Sequence, residues 1–246
     1  MMQSHDWYEG PLASFDTETT GVDVEQDRVV SGALVVQHAP GGPLERRTWL
    51  ADPGIPIPEG ARAVHGISDE HVRAHGRPPA AVAAEIARAL AEQARAGVPL
   101  VVMNAPYDLT LLDRELRRHG LGSLETFLAG AELLVVDPRV LDKHLDRYRK
   151  GRRTLTDLCA HYGVELRGAH DAAADATAAL ELVRAIGIRH RSALGDVSPG
   201  ELHLRQRVWH AAQARGLQEW FDRSGTAERV DRSWPLRPAA RSEDAA

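Results

Sequence analysis

The chain has a single cysteine, Cys159, in 246 residues. An intramolecular disulfide is therefore excluded, and so is any zinc site built from several cysteines. Long apolar runs are missing too. No stretch approaches the roughly 20 apolar residues of a membrane-spanning helix, and residues 1–10 are polar, without an apolar leader or cleavage site. No membrane partner is expected, and the expected location is cytoplasmic. A positive excess is also absent, since 30 Lys and Arg face 35 Asp and Glu, for a formal charge of −5. That balance argues against coating nucleic acid non-specifically, which relies on surplus cations to neutralise phosphates. Local basic clusters can still bind phosphate. Internal repeats and low-complexity tracts are not found. What the chain does have is apolar content, 43% of its residues, enough for one sizeable core.

Periodicity and punctuation predict the order of elements. Strands are expected at residues 12–15, 29–37 and 45–50, with Ala39-Pro-Gly-Gly-Pro43 as the turn between the last two. The helical spacing of Val82, Ile86 and Leu90 places a helix over 79–96. The apolar run 98–103 reads as a fourth strand buried on both faces, leading into a helix to about residue 119, and 133–136 repeats the pattern as a fifth strand. Two further helices, about 155–162 and 172–186, are expected to stop at Gly163 and Gly187. Strands first and alternation afterwards mean an α/β domain with a mixed sheet. Residues 199–221 read as an amphipathic helix through Leu202, Leu204, Val208, Trp209, Ala212, Leu217 and Trp220, interrupted at Gly216. It is expected to pack back on the domain, or alternatively to offer that face to a protein partner or a second copy of the chain. The chain thus divides into a domain at 8–188, a helical C-terminal extension at 189–223 and a loose, charged tail at 224–246.

The run Ser14-Phe-Asp-Thr-Glu-Thr-Thr-Gly21 carries the first candidate chemistry. Side chains two apart on a strand share a face, so Asp16 and Glu18 sit side by side. Two carboxylates that close are tolerated when a cation lies between them or one is protonated, and Mg²⁺ and Mn²⁺ prefer such oxygens. The plain alternative is a pair of acids beside a Thr-Gly turn. Asp108, in Asn104-Ala-Pro-Tyr-Asp108, falls in the first turn of the helix after the fourth strand. An acid there is either a ligand or a favourable charge for the helix dipole. His170 stands just outside a helix that Asp171 caps and that contains Asp175. This arrangement suits a proton acceptor beside a metal ligand, or else a surface histidine.

In order and separation, these three segments resemble the motifs of DnaQ-like 3′→5′ exonucleases of the DEDDh subclass, with four acids and a histidine. The proofreading epsilon subunit of bacterial DNA polymerase III belongs to that subclass. Residues 52–69, a Pro-rich stretch ending in Val64-His-Gly-Ile-Ser-Asp69, resemble the segment that the family places between its first two motifs. The resemblance covers about residues 8–188. Met103 stands where many members carry histidine and Tyr107 where phenylalanine is frequent, which bears on substrate contacts rather than on the acids. The resemblance implies an RNase H-like fold with a mixed five-stranded sheet flanked by helices. It also implies hydrolysis of nucleic acid from the 3′ end to nucleoside 5′-monophosphates, with two divalent ions, Mg²⁺ or Mn²⁺, about 4 Å apart. By resemblance, Asp16, Glu18 and Asp175 hold the first ion, Asp16 and Asp108 the second, and His170 is the general base. Thr19, Thr20, Gly21, His65, Asn104 and Tyr107 are the implied substrate contacts. Single-stranded DNA ends, in repair or proofreading, are the first expectation. RNA or short oligoribonucleotides are the alternative, and a non-catalytic accessory module on the same fold is a third. Residues 139–153 pack seven Lys and Arg against two Asp, the best candidate for tracking phosphates, with a solvated loop as the competing reading.

Overall fold

A computed structural model describes residues 6–239. A 3₁₀ turn, Trp7–Glu9, precedes β1 (Leu12–Thr19), β2 (Val29–Gln37) and β3 (Leu44–Leu50). Then come α1 (Glu59–His65), α2 (Asp69–His75), α3 (Pro79–Arg95), β4 (Leu100–Val101), α4 (Ala105–Arg118), α5 (Leu124–Leu128), β5 (Val135–Val136) and α6 (Pro138–Leu145). The chain closes with α7 (Leu155–Tyr162), α8 (Ala172–Arg189), α9 (Arg191–Leu194) and α10 (Pro199–Ser224). The strands form one sheet in the order β3-β2-β1-β4-β5. The first three run antiparallel, while β4 and β5 run parallel to β1. This is the mixed, helix-flanked, RNase H-like sheet that the sequence predicts. Among the described residues no helix is long and apolar enough to cross a membrane.

The central strand β1 decides where the site falls. Alternation sends Leu12 to the side covered by α7 and α8, where it joins Leu158, Leu180 and Val183. Ala13 and Phe15 point the other way, into a cluster with Ile86 and Leu90 of α3 and Leu109 and Leu112 of α4. The same alternation continues to the end of the strand, so Asp16 and Glu18 fall on the α8 side and Thr17 on the α4 side. A register slip between Glu18 and Thr19 then ends the pairing.

Several expectations are corrected. Helix α8 passes through Gly187 instead of stopping there. A Cβ at that position would fall 2.3 Å from the Tyr8 ring, so this glycine permits close packing rather than a turn. By contrast Gly163 does end α7, with φ 72°. Helix α10 runs unbroken through Gly216, and its apolar residues do not form one inward face. Leu202 is buried and Trp209 stacks on His144 with ring centroids 3.9 Å apart, whereas Leu204, Val208, Leu217 and Trp220 are exposed. The inward positions are Leu202, His203, Gln206, Ala214 and Gln218, and two of the polar ones are there because the edge of β5 needs hydrogen-bond partners. His203 Nδ1 accepts the Val135 amide at 3.0 Å, and Gln206 spans the Asp137 amide at 2.8 Å and the Val135 carbonyl at 3.0 Å. The helix thereby completes the sheet where a sixth strand would lie.

The expected loose tail is likewise corrected for residues 225–239. They form no helix or strand, yet Trp234 is buried in the α3–α4 core and the Arg237 amide donates to Thr110 Oγ1 on α4 at 3.0 Å. Residues 240–246 lie outside the described part. Short helices α1, α2, α5 and α6 also appear where hydrophobic spacing gave no signal. Caps start three of them, with Ser68, Ser123 and Asp137 accepting the first free amides.

Candidate active site

At the end of β1 the two faces of the sheet converge on one group of acids. Carboxylate oxygens of Asp16, Glu18 and Asp175 lie within 4.8 Å of one another. Asp175 comes from the first turn of α8, whose cap is Asp171, accepting the Ala174 amide at 2.9 Å. Asp108, in the first turn of α4, approaches from the other face. It is held by Thr17, whose amide donates to Asp108 Oδ1 at 3.1 Å and whose hydroxyl donates to the same oxygen at 2.6 Å.

The electrostatics are those of a site short of positive charge. Burial and then the charges of Asp108, Asp175, Glu18 and Asp171 push Asp16 well above the usual carboxylate range. Glu18 is pushed up to about 8, by burial and by Asp175, Asp108 and Asp171. Burial raises Asp108 to about 7 against the opposing hydrogen bonds from Thr17, and Asp175 is raised by burial too. One oxygen of Asp175, Oδ1, is buried with no hydrogen-bond partner among the described residues. Mutually repelling carboxylates and an orphaned buried oxygen fit hard divalent cations ligated by oxygen.

His170 sits at the rim. Its backbone amide donates to Asp175 Oδ2 at 3.2 Å, and its φ of 70° is rare for a residue with a side chain. The residue is exposed. His65 ends α1. Its Nδ1 accepts the Ile67 amide at 3.1 Å, and its Nε2 is buried without a hydrogen-bond partner among the described residues. The five expected catalytic residues and His65 are thus brought together.

The other expected contacts divide. Thr19 Oγ1 donates to the Gly21 carbonyl at 2.7 Å and lies 2.6 Å from the Tyr107 hydroxyl, which also bonds to the Gly21 carbonyl. These three residues lock the loop after β1, so the hydroxyls of Thr19 and Tyr107 are spent on the protein. Thr20 turns inward. Its side chain is buried, its hydroxyl donates to Asp27 at 2.7 Å and its amide to the Arg28 carbonyl at 3.0 Å. Gly21 is needed for close approach, since a Cβ would fall 2.5 Å from the Asp27 carboxylate. Asn104 occupies the position before α4 with φ 63° and no capping bond from its side chain, which instead accepts Arg139 Nη1 at 3.0 Å.

Two residues of the site escaped the sequence reading. Thr17 lies between the two acids of the first motif and orients Asp108. Asp137 follows β5 and is buried. It accepts the amides of Asn104 at 3.2 Å and Ala105 at 3.0 Å, and that of Arg139 at 2.9 Å, capping α4 and α6 with one carboxylate. The rule that found Asp108, an acid at the end of a parallel strand, would have found it. The basic run 139–153 is not one phosphate-tracking patch. Arg149 and Arg153 turn inward onto the fully buried Asp142, at 3.1 and 2.6 Å, because a buried carboxylate requires partners.

Residues 14–183 match the family model described as Exonuclease (RNase_T). A PolC-type DNA polymerase III from Lacticaseibacillus paracasei is 28% identical over 206 residues, 80% of this chain and 13% of that protein. A DNA polymerase III subunit epsilon-like protein from Rhodobacter capsulatus is 36% identical over 41% of this chain and 14% of that protein. The chain therefore spans a small part of these relatives. Among solved structures, Escherichia coli exonuclease I in complex with a dT13 oligonucleotide superposes with a TM-score of 0.61 at 20% identity, covering 74% of this chain and 42% of that one. Exonuclease I from Methylocaldum szegediense gives 0.61 at 20% identity, covering 87% and 45%. These likenesses establish a shared fold.

Proposed function

The chain belongs to the RNase_T exonuclease family, whose model covers residues 14–183, and from that premise we propose that it is a metal-dependent 3′→5′ exonuclease releasing nucleoside 5′-monophosphates. The observation that carries the reading is the meeting of Asp16, Glu18 and Asp175 within 4.8 Å, with Asp108 brought up by Thr17 from the opposite face of the sheet. Asp16, Glu18 and Asp175 would hold one Mg²⁺ or Mn²⁺, and Asp16 with Asp108 a second. Divalent cations bound there supply the positive charge that offsets the negative charge building on the phosphate and leaving oxygen.

The chain's own groups do the rest. The neutral imidazole of His170, at the rim of the cluster, accepts the proton of the attacking water. Its backbone amide is tied to Asp175, so base and ligand are held by one turn. Thr17 and Asp137 position Asp108 and the start of α4. The locked loop of Thr19, Gly21 and Tyr107 forms a firm wall, and His65 Nε2 offers an unspent donor or acceptor to the terminal nucleotide.

DNA is the favoured substrate because the relatives are named as DNA polymerase III proteins and a fold neighbour is seen with a dT13 oligonucleotide. RNA is the second reading, and an accessory module without chemistry the third. The exposed Leu204, Val208 and Trp220 of α10 are where a polymerase or a second copy would touch. The test is product identification on 5′-labelled and 3′-labelled single-stranded DNA and RNA with Mg²⁺ or Mn²⁺. The reading expects immediate release of the 3′ label as a 5′-monophosphate. Cleavage starting at the 5′ end, or none with either nucleic acid, would overturn it.

A further inference from the structure

A small cavity, about 220 Å³, opens at the head of α4, lined by Asn104 and Asp137 but by none of Asp16, Glu18, Asp108 and Asp175. One wall is Asn104 at the head of α4, four residues before Asp108. A second is α6, which contributes Arg139 and Lys143, one helical turn apart. The third is α10 with the segment after it, from which Arg229 and Arg237 reach the cavity.

The charges are poorly compensated. Among the described residues Arg139 pairs with no carboxylate; its side chain donates to Asn104 Oδ1 at 3.0 Å. Lys143 is half-buried, pairs with no acid among the described residues, and is crowded by Arg139 and Arg153, which with burial hold its pKa below the usual lysine value. Asp137, Glu228 and Asp231 also line the cavity, but Asp137 accepts the backbone amides of Asn104, Ala105 and Arg139, Asp231 lies 3.9 Å from Arg237, and Arg229 is answered by Asp222 at 3.3 Å outside it. That leaves Arg139 and Lys143 as adjacent cations, with the exposed Glu228 as the one lining acid not otherwise engaged. A phosphate would relieve the crowding of these two cations.

We propose that this cavity holds the phosphodiester backbone of a single-stranded polynucleotide upstream of the nucleotide being removed, with Arg139 and Lys143 as its phosphate contacts. The Arg139–Asn104 bond links the strand's path to the helix that carries Asp108. This inference rests on the exonuclease reading for its register, and it predicts a preference for substrates long enough to reach α6.

The test compares the full chain with Lys143→Gln and Arg139→Gln, each checked for an unchanged melting curve. Fluorescence anisotropy with labelled single-stranded DNA, and RNA of the same sequence, in Ca²⁺ reports binding without turnover. Each variant should weaken binding about tenfold and lower the slope of log affinity against log salt by about 0.7, the value for one phosphate contact on a single strand. Hydrolysis of the p-nitrophenyl ester of thymidine 5′-monophosphate reports the acid cluster alone. The ratio of oligonucleotide to ester kcat/KM should fall about tenfold, through KM. Unchanged affinity and slope would overturn the proposal. So would competition by inorganic phosphate as strong as by an oligonucleotide, which would mark a small-anion site. A protein that binds oligonucleotide through these residues but hydrolyses neither substrate would sink the exonuclease reading and leave the binding path standing.

Discussion

The hydroxyl of Thr17 donates to Asp108 Oδ1 at 2.6 Å, across 91 residues of chain. Thr17 stands between Asp16 and Glu18 but points to the opposite face of β1, so one strand supplies two acids to one side and the orienting group for a third on the other. Asp108 is fastened twice by the same residue, through amide and hydroxyl to one oxygen, Oδ1.

Replacing Thr17 by valine keeps the shape and the amide bond but removes the hydroxyl. A lost hydrogen bond to a charged group costs about 1.5–3 kcal/mol. Asp108 should then bind its proton more tightly, since the Thr17 bond is what lowers it. We expect Mn²⁺ affinity to fall by about tenfold or more, with little change in far-ultraviolet circular dichroism. Mn²⁺ titration followed by electron paramagnetic resonance checks this, and an unaltered isotherm would mean the hydroxyl plays no part in positioning Asp108.

Stability should depend on pH in a direction set by the raised acids. Glu18 at about 8 and Asp108 at about 7 bind protons more tightly in the folded protein than in the unfolded chain. Their contribution is full below the unfolded carboxylate range near pH 4 and is lost as pH rises through about 7 to 8. In EDTA the Tm should therefore fall from about pH 5 to about pH 8. With Mg²⁺ the fall should shrink, because cations replace the protons and bind more tightly as pH rises. Parallel melts with and without Mg²⁺ decide the point; the same pH dependence in both would count against a metal centre.

Trp234 is 6% exposed, with its indole 5.0 Å from the His203 ring. Removing it as Trp234→Ala should cost about 3–5 kcal/mol, a drop of roughly 10 °C in Tm at about 2–4 °C per kcal/mol. Equal Tm values for the two proteins would mean that residues 225–239 are not docked on α4.

Much of this site was legible in the sequence because its acids follow strand ends, which the apolar runs mark. Asp16, Glu18 and Asp108 were read from that rule, and Asp175 from the cap signal of Asp171. The failures have a common cause. Hydrophobic spacing registers apolar burial and is blind to hydrogen-bond demand, so the inward face of α10 was assigned to leucines while His203 and Gln206 do the work of capping β5. The basic run 139–153 hid helix α6 and the buried Asp142 for the same reason. Gly187 was read as a stop because a single chain cannot reveal Tyr8 lying against it. Thr17 was passed over because its partner is distant in sequence and lies on the opposite face from its neighbours.

The most direct test of the central claim is a time course on 5′-labelled single-stranded DNA with Mg²⁺, run beside Asp16→Asn and His170→Ala. The account predicts a ladder shortening from the 3′ end, abolished by EDTA and by Asp16→Asn. It predicts a rate lower by about 10²–10⁴ in His170→Ala, with Mn²⁺ binding retained in that variant. A ladder that persists in Asp16→Asn, or full-length DNA throughout despite a folded protein that binds Mn²⁺, would contradict it.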